Sequence, residues 1–224
     1  MSFLKHLGVI LDGNRRFSKS KGITYYSGLE KGLENVLKLL EWCRENEVKE
    51  LTLYAFSMQN FKRDTEEKKQ LFDVFLKAIE KFEKEQRKEK HLIRIKFIGR
   101  THLFPKKISE KMTQLEDKTS KNKDYKLNIA MGYGGREEIE DALQKIISKN
   151  LEPTLKNIQE NLYLKSEPQL IIRTGGAMRT SNFLPWQSTY SEWIFLKKYW
   201  PEVTKKDLDK ALQEFKQRER RFGK

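Results

Sequence analysis

The chain has 224 residues, enough for one domain with a sizeable core, and 46 lysines and arginines against 32 acidic residues give a formal net charge of +14. This charge favours anionic partners such as nucleic acid, an acidic membrane face or phosphorylated small molecules, although mixed Lys/Glu stretches also form solvated helix faces. The lone Cys43 excludes an intrachain disulfide, and no apolar run approaches the ~20 residues of a membrane span. Without a secretory pattern at the amino terminus, we expect a soluble cytoplasmic protein.

Short apolar runs alternate with helical patterns along the chain, and no repeat, low-complexity linker or domain boundary interrupts them. The apolar runs predict strands at residues 7–11, 51–56, 92–98, 127–131, 170–172 and 193–196. Partial alternation with basic residues places the strand at 92–98 nearer an edge. This order predicts one α/β domain over residues 1–224, with a central, mostly parallel sheet of about six strands flanked by helices.

Apolar residues at helical spacing predict the connecting helices. They are expected at residues 28–43, after Asp64, at 108–118, after Arg136 and at 204–221, with one short helix inside the irregular stretch 150–168. Asp64 and Glu67 resemble a capping box that starts a long helix. The helix after Arg136 is expected to bury the side chains of Ile139, Ala142, Leu143, Ile146 and Ile147.

The first predicted strand ends in Asp12, Gly13, Asn14, Arg15 and Arg16, so that a carboxylate and a glycine precede two arginines at the expected start of a helix. A glycine lets backbone N–H groups approach an anion, and a helix start adds a partial positive charge. The sequence Asp-Gly-Asn is also an ordinary turn. Taken alone, this stretch therefore fits either a phosphate or metal site or a plain turn.

Four predicted strands are followed by an arginine, mostly beside glycine or small polar residues. These residues are Asp12, Asn14, Arg15 and Arg16 after the first strand, Ser57, Asn60 and Arg63 after the second, Gly134, Gly135 and Arg136 after the fourth, and Arg173, Gly175, Gly176 and Arg179 after the fifth. Because the carboxyl ends of parallel strands share one edge of a sheet, where ligands bind, we expect these residues to meet. The repetition predicts a site for more than one phosphate group, with Asp12 as the acid on the metal side.

Four stretches carry a recognisable pattern: HLGVILDGNRRF (6–17), LTLYAFSMQNFKR (51–63), IIRTGGAMRTSNFLPWQSTYSEWIF (171–195) and RERRFG (218–223). These stretches resemble the cis-prenyltransferases, and most closely the bacterial undecaprenyl diphosphate synthases. The resemblance implies an undecaprenyl diphosphate synthase-like fold with an apolar tunnel, and a homodimer. The implied activity is repeated condensation of isopentenyl diphosphate onto an allylic diphosphate, usually farnesyl diphosphate. Its product would be a long Z-polyprenyl diphosphate such as undecaprenyl diphosphate, the precursor of a cell-wall carrier lipid.

The resemblance also implies roles for individual residues. Mg²⁺ is the implied cofactor, with Asp12 and Glu192 as its ligands, and the implied catalytic residues are Asp12 and Asn60, the latter near the C2 proton that is lost. The implied substrate-binding residues are Gly13, Asn14, Arg15, Arg16, Phe17, Ser57, Phe61, Arg63, Arg173, Arg179 and Ser181. Glu192 and the segment Arg221-Phe222-Gly223 match positions associated with the partner subunit.

Several residues depart from the family pattern. Arg15 stands where the family has glycine, Tyr25 where it has a diphosphate-binding arginine, and Leu29 where it has histidine. Phe61 stands in place of tryptophan, Gly132 in place of asparagine, and Ala177-Met178 in place of a polar pair, commonly Glu-His. The changes at Tyr25 and Leu29 remove two donors from the allylic site. Arg15 is expected to return one cation to that place.

Alternatives remain open at this point. The apolar stripes at residues 29–40 and 71–82, with Ala55, fit the walls of a tunnel and fit plain core equally well. A non-catalytic partner subunit of the same family usually lacks the aspartate that is present here as Asp12. A nucleic-acid-binding protein would explain the charge, but the sequence has no recognition helix or RNA-binding signature, so no nucleic acid is expected. Peripheral contact with a membrane is compatible with the charge.

Overall fold

Six parallel strands form the centre of the computed structural model, which describes residues 3–86 and 92–218. The strands are β1 (His6–Ile10), β2 (Glu50–Ser57), β3 (Ile93–Ile98), β4 (Tyr125–Tyr133), β5 (Leu170–Arg173) and β6 (Glu192–Phe195). They lie in the order β3-β4-β2-β1-β5-β6, and each neighbouring pair is parallel. The predicted α/β sheet is confirmed, and β3 is an edge strand as expected.

Seven α-helices flank the sheet within the described ranges. They are α1 (Asn14–Lys21), α2 (Tyr25–Glu45), α3 (Thr65–Gln86), α4 (Lys106–Thr119), α5 (Gly135–Ser148), α6 (Leu155–Asn161) and α7 (Lys205–Gln217). The helix predicted over 204–221 ends at Gln217, and the segment Arg221-Phe222-Gly223 lies outside the described residues. Short 3-10 helices occupy Met58–Lys62, Thr101–Leu103 and Trp200–Glu202. No helix in these ranges has both the length and the hydropathy needed to cross a bilayer.

The central strands are apolar on both faces because helices or loops cover each side of the sheet. Successive side chains of a strand point to opposite faces, so Leu7 and Val9 join the larger core cluster, whereas Ile10 joins a smaller one on the other face. Gly8 is the one glycine in this apolar run. A Cβ there would lie 3.1 Å from Ile171 Cγ1, so the absence of a side chain lets β5 pack closely against β1.

The inward face of α5 differs from the expectation. Ala142 and Ile146 are buried as predicted, but Leu143 is 37% exposed and Ile147 is 77% exposed. The buried line instead continues from Ala142 to Glu138, one turn earlier, and Glu138 is fully covered. The prediction placed two neighbouring lines of apolar side chains in the core. The helix buries the line through Ala142 and Ile146, and it leaves the line through Leu143 and Ile147 exposed.

Partners for the Glu138 carboxylate explain why α5 buries an acid. It accepts hydrogen bonds from the Leu164 N–H at 3.0 Å, from Gln187 Nε2 at 3.1 Å and from the Tyr133 hydroxyl. Burial raises the pKa of Glu138, although these donors oppose the shift. A buried carboxylate with three donors is tolerated because its lone pairs are satisfied.

A second buried polar group lies at the amino ends of the central strands. His6 Nε2 is 2.8 Å from Thr52 Oγ1, and Asn128 Nδ2 donates both to Thr52 Oγ1 at 3.1 Å and to Glu50 Oε1 at 2.8 Å. Burial lowers the pKa of His6 to about 4, while the nearby Glu50 carboxylate acts in the opposite direction. His6 is therefore a neutral structural residue at neutral pH.

The buried His6 makes the free energy of unfolding depend on pH. Its pKa is 6.5 in an unfolded chain and about 4 in the fold, so between these values the unfolded state binds more protons. We expect full stability above about pH 6.5 and a loss of at most about 3 kcal/mol as the pH falls to about 4. Urea denaturation at a series of pH values, with His6→Gln as the comparison, measures this loss. An equal pH dependence in the variant would contradict the assignment.

Candidate active site

The carboxyl ends of β1, β2 and β5 border one cavity of about 750 Å³. Its polar lining is Asp12, Gly13, Asn14, Arg15, Arg16, Tyr25, Ser57, Gln59, Asn60, Arg63, Arg173, Arg179, Ser181 and Asn182. Its apolar lining comes mainly from α2 and α3 and includes Leu29, Leu33, Val36, Leu71, Phe72, Val74, Phe75, Ala78, Ile79 and Phe82, with Leu53, Ala55 and Phe56 of β2. Three of the four predicted strand ends thus meet at this cavity, whereas Gly134, Gly135 and Arg136 after β4 do not line it.

Asp12 and Arg173 meet where the strand order reverses. The chain leaves β1 towards β2 on one side, whereas β5 lies on the other side of β1 and leads outward to β6. Ligands of open α/β sheets bind at such a switch point. Arg173 is only 4% exposed, and its Nη2 donates to Asp12 Oδ2 at 2.9 Å. Its Nη1 donates at 2.6 Å both to the Arg179 carbonyl and to Ser181 Oγ.

Arg16 approaches the same carboxylate from α1. Its Nη2 donates to Asp12 Oδ1 at 3.1 Å, its Nη1 donates to the Gly175 carbonyl at 2.7 Å, and its guanidinium lies 5.3 Å from the centre of the Tyr199 ring. The same ring limits the space at Gly13, where φ is 110° and a Cβ would lie 2.8 Å from Tyr199 Cδ1. Glycine is required at this position for both reasons.

Asn14 begins α1 directly behind this turn. Its Nδ2 donates to the Leu11 carbonyl at 3.0 Å, while its Oδ1 is buried and has no hydrogen-bond partner among the described residues. Gly32 of α2 makes room for that oxygen, since a Cβ there would lie only 2.5 Å away.

The second strand end supplies the segment from Ser57 to Arg63. The Ser57 N–H donates to Asn60 Oδ1 at 2.8 Å, the Arg63 N–H donates to the Asn60 carbonyl at 3.1 Å, and Arg63 Nη1 donates to the Tyr25 hydroxyl at 2.9 Å. Phe61 lies outside the cavity lining and packs between Phe56 and Phe104, with ring centres 4.9 and 5.1 Å away. Its side chain therefore anchors the segment rather than lining the site.

Other predicted site residues also lie elsewhere. Phe17 is buried outside the cavity lining, and Arg136 is an exposed residue of α5. Glu192 is at the amino end of β6, paired in register with Leu170, roughly 10 Å along the sheet from the level of Arg173. Its carboxylate accepts a hydrogen bond from Arg218 Nη1 at 2.7 Å. A single chain therefore does not bring Glu192 to Asp12.

Acidic residues are scarce at this site. In the part of the chain that the structure describes, no three His, Cys, Asp or Glu side chains cluster as metal ligands, and Asp12 is the one carboxylate of the cavity lining. Each Asp12 oxygen faces one guanidinium and keeps a free lone pair. Mg²⁺ is commonly held by one or two carboxylates together with substrate phosphates and water. The residues present fit that mode of binding.

Asn182 is a cavity residue that the sequence patterns did not reveal. It has φ of 61°, and Ser181 has φ of 51°, a left-handed backbone that asparagine tolerates better than most residues. The Asn182 carbonyl accepts the Gly135 N–H at 2.8 Å, and its Oδ1 accepts the Arg136 N–H at 3.0 Å. These bonds join the 181–185 loop to the start of α5 and fix Ser181 beside Arg173.

The match to a family model decides which proteins this chain is related to. The model of the undecaprenyl diphosphate synthase family matches residues 10–223. The chain belongs to the cis-prenyltransferase family. It is a prenyltransferase, and its sheet and helices have the undecaprenyl diphosphate synthase fold.

Relatives match over nearly the whole length of this prenyltransferase. An isoprenyl transferase of Thermus thermophilus is 41% identical over 98% of this chain and 88% of its own length. A tritrans,polycis-undecaprenyl-diphosphate synthase (geranylgeranyl-diphosphate specific) of Thermoplasma acidophilum is 40% identical with the same coverage.

Solved structures agree with the sequence relatives. A probable undecaprenyl diphosphate synthase of Campylobacter jejuni superposes with a TM-score of 0.87 at 35% identity, covering 100% of both chains. Lavandulyl diphosphate synthase of Lavandula x intermedia, in complex with dimethylallyl diphosphate, superposes with a TM-score of 0.95 at 30% identity and covers 99% of both chains.

Gly135 is predicted to be essential for seating the 181–185 loop of this prenyltransferase. A Cβ at this position would overlap the ring of Pro185, which cannot rotate away. We expect Gly135→Ala to lower the free energy of unfolding by about 1–3 kcal/mol. Urea denaturation measures the change, and Gln144→Ala on the exposed side of α5 should stay within about 0.5 kcal/mol of the wild type. A stable Gly135→Ala protein would show that the loop is not seated in this way.

Proposed function

We propose that this prenyltransferase extends an allylic diphosphate with isopentenyl diphosphate to give a Z-polyprenyl diphosphate and pyrophosphate. The observation that carries the proposal is the lining of one cavity. Five guanidinium groups line its polar part, from Arg15, Arg16, Arg63, Arg173 and Arg179, and the remaining wall is apolar. Diphosphates with hydrocarbon tails need both parts, since arginine binds phosphate oxygens bidentately and the tail must leave water.

The start of α1 supports a site for the allylic diphosphate. Gly13 and Asn14 line the cavity at the amino end of this helix, where a partial positive charge favours anions. Arg15, Arg16 and Arg63 add guanidinium groups on the same polar wall. The allylic diphosphate would therefore bind between α1 and the 57–63 segment, with its tail along α2 and α3.

The fifth strand end supports a separate site for isopentenyl diphosphate. Arg173, Arg179 and Ser181 line the cavity together, and Arg173 already orients the other two through its Nη1 contacts. The Arg173 Nε is buried and has no partner among the described residues. An unused donor on a buried guanidinium is suited to a phosphate oxygen.

The proposed reaction breaks the C1–O bond of the allylic diphosphate, and the bonding electron pair leaves with pyrophosphate. The C3=C4 electron pair of isopentenyl diphosphate forms the new bond from C4 to C1, the double bond moves to C2=C3, and the proton lost from C2 passes to the departing pyrophosphate. The arginines of the polar wall stabilise the negative charge that develops on the departing pyrophosphate. Asn60, fixed by its bonds to Ser57 and Arg63, would lie near the C2 proton. Bound through Asp12, Mg²⁺ would neutralise diphosphate oxygens and so assist their departure.

The apolar lining supports a tunnel for the growing chain. Side chains of α2 and α3 line the cavity together, and Ala55 of β2 adds a small residue to the wall. The proposed starter is farnesyl diphosphate and the proposed product is a long polyprenyl diphosphate such as undecaprenyl diphosphate. The Thermoplasma relative is named as specific for geranylgeranyl diphosphate, so both starters belong in the test.

The non-catalytic alternative is disfavoured by the same cavity. A partner subunit without activity has no need of a complete site, yet Asp12, Asn60, Arg63, Arg173 and Arg179 all line one space here. Their convergence from three strand ends supports an active enzyme.

Turnover with radiolabelled isopentenyl diphosphate tests the proposal. With Mg²⁺ and farnesyl or geranylgeranyl diphosphate, we expect labelled polyprenyl products, whose length is read by chromatography after phosphatase treatment. Asp12→Ala is expected to lower kcat at least about a hundredfold, because it removes the carboxylate that binds Mg²⁺ and orients Arg16 and Arg173. Asp117→Ala, at an exposed position of α4 outside the cavity lining, is the matched control and should retain activity. No product with either starter would refute the proposed function.

An exposed apolar face supports the homodimer that the family resemblance implies. Leu143 and Ile147 lie one turn apart on the outer side of α5, and Leu155 at the start of the neighbouring α6 is also exposed. Contiguous apolar side chains on a surface commonly mark an interface. We propose that a second copy of this chain covers this face.

Ile147→Glu is predicted to weaken the dimer. A charge placed on a buried apolar contact costs free energy on association, so sedimentation velocity at micromolar concentration should show a shift from dimer towards monomer. Leu103→Glu changes an exposed leucine outside α5 and α6 and should leave the dimer intact. A monomeric wild-type protein, or an unchanged Ile147→Glu dimer, would exclude this face as the interface.

A further inference from the structure

Four side chains connect the two walls of the cavity beside the proposed allylic site. Arg15 of α1 forms an ion pair with Glu67 of α3, and Arg63 Nη1 donates to the hydroxyl of Tyr25 at 2.9 Å. The Arg15 guanidinium also lies 5.8 Å from the centre of the Tyr25 ring. We call these four residues the rim cluster. Its members come from three helices and the 57–63 connection, so the fold alone brings them together.

The two cations of the rim cluster are held in different ways. The side chains of Arg15 and Glu67 are 50% and 23% exposed, so water weakens their attraction and the pair contributes little to stability. Tyr25 is half-buried, and burial raises the pKa of its hydroxyl, which keeps it protonated at neutral pH even with Arg63 nearby. Tyr25 therefore orients Arg63 through a neutral hydroxyl, whereas Glu67 pairs with Arg15 through a charged carboxylate.

The rim cluster also fits the chemistry of the anion it faces. Arg15, Tyr25 and Arg63 line the cavity, and Glu67 is outside its lining. A diphosphate carries more charge than a carboxylate and offers several oxygens to a guanidinium, so it competes well for Arg15. Only one exposed contact has to break for Arg15 to turn from Glu67 to such a ligand.

We propose that Glu67 is an exchangeable counter-ion of Arg15, and that Tyr25 is the positioning residue of Arg63. Glu67 holds Arg15 while the allylic site is empty, and it releases Arg15 to the diphosphate of a bound ligand. After each condensation Arg15 returns to Glu67. The site then has less positive charge to retain pyrophosphate, which departs more readily. The proposal rests on the proposed function, because it takes the ligand of this cavity to be a diphosphate.

Titration calorimetry with inorganic pyrophosphate at constant Mg²⁺ tests the exchange without turnover. Glu67→Gln is expected to bind pyrophosphate about three- to fivefold more tightly than the wild type, since Arg15 has lost its competing carboxylate. Glu66→Gln is the matched control, because Glu66 accepts a hydrogen bond from Gln70 and is one residue away on the same exposed turn. It should bind as the wild type does. Equal or weaker binding by Glu67→Gln overturns the exchange.

A double-mutant comparison separates exchange from a general effect of charge. In an Arg15→Gln background, adding Glu67→Gln should no longer tighten pyrophosphate binding, because the guanidinium for which the two anions compete is absent. Tightening that persists in that background would show that Glu67 acts through its charge alone, and it would overturn the proposal. If the wild type made no polyprenyl product while Glu67→Gln still bound pyrophosphate more tightly, the exchange would stand and the proposed function would fall.

Tyr25→Phe tests the positioning role. The ring that faces Arg15 is kept, and the acceptor of the Arg63 hydrogen bond is lost. We expect the Kd of pyrophosphate and the KM of the allylic diphosphate to rise about three- to fivefold, and KM to change by a larger factor than kcat. The control is Tyr26→Phe, the next residue of α2, whose ring lies 4.9 Å from Lys77 Nζ. An unchanged Kd in Tyr25→Phe, or an equal rise in both variants, would overturn this role.

Discussion

The contact between Arg173 and Asp12 is the one on which the rest of the site depends. Burying a guanidinium costs free energy unless its N–H groups form hydrogen bonds. The Arg173 guanidinium donates to Asp12, to Ser181 and to the Arg179 carbonyl. The same contact joins the ends of β1 and β5, the two strands between which the chain changes direction across the sheet. It thereby places Asp12, the proposed ligand of a divalent ion, next to the loop that carries Arg179 and Ser181, which line the same cavity.

The cavity divides into polar and apolar parts because of how the sheet is built. Strands that are buried on both faces are apolar along their length, and polar side chains become possible only where the strands end. The helices that cover the sheet add the remaining wall, so α2 and α3 present apolar side chains to the same space that the strand ends make polar. A ligand with a charged head and a hydrocarbon tail matches this division.

Three residues that depart from the family pattern each have a clear role in the cavity wall. Leu29 packs with Leu33 and Val74, so it extends the apolar wall where a histidine is usual. Tyr25 replaces an arginine, and its hydroxyl orients the neighbouring Arg63. Arg15 brings a guanidinium to the same wall from α1. Arg15 therefore restores one guanidinium to this wall from a different element, whereas the histidine that is usual at position 29 is not replaced.

The sequence by itself determined the order of the elements and the parallel sheet, because apolar periodicity is a local signal. It also predicted that Asp12, Asn60 and the five cavity arginines converge, because the residues that follow each strand can be identified from the sequence. Tertiary structure alone decided that Phe17, Phe61, Arg136 and Glu192 lie outside the cavity, and that α5 buries Glu138 in place of Leu143 and Ile147. It also decided that Glu67 pairs with Arg15 and Asn182 lines the site. These outcomes depend on which distant donors satisfy a given side chain, and such pairings between segments far apart in the chain leave no periodic trace in the sequence.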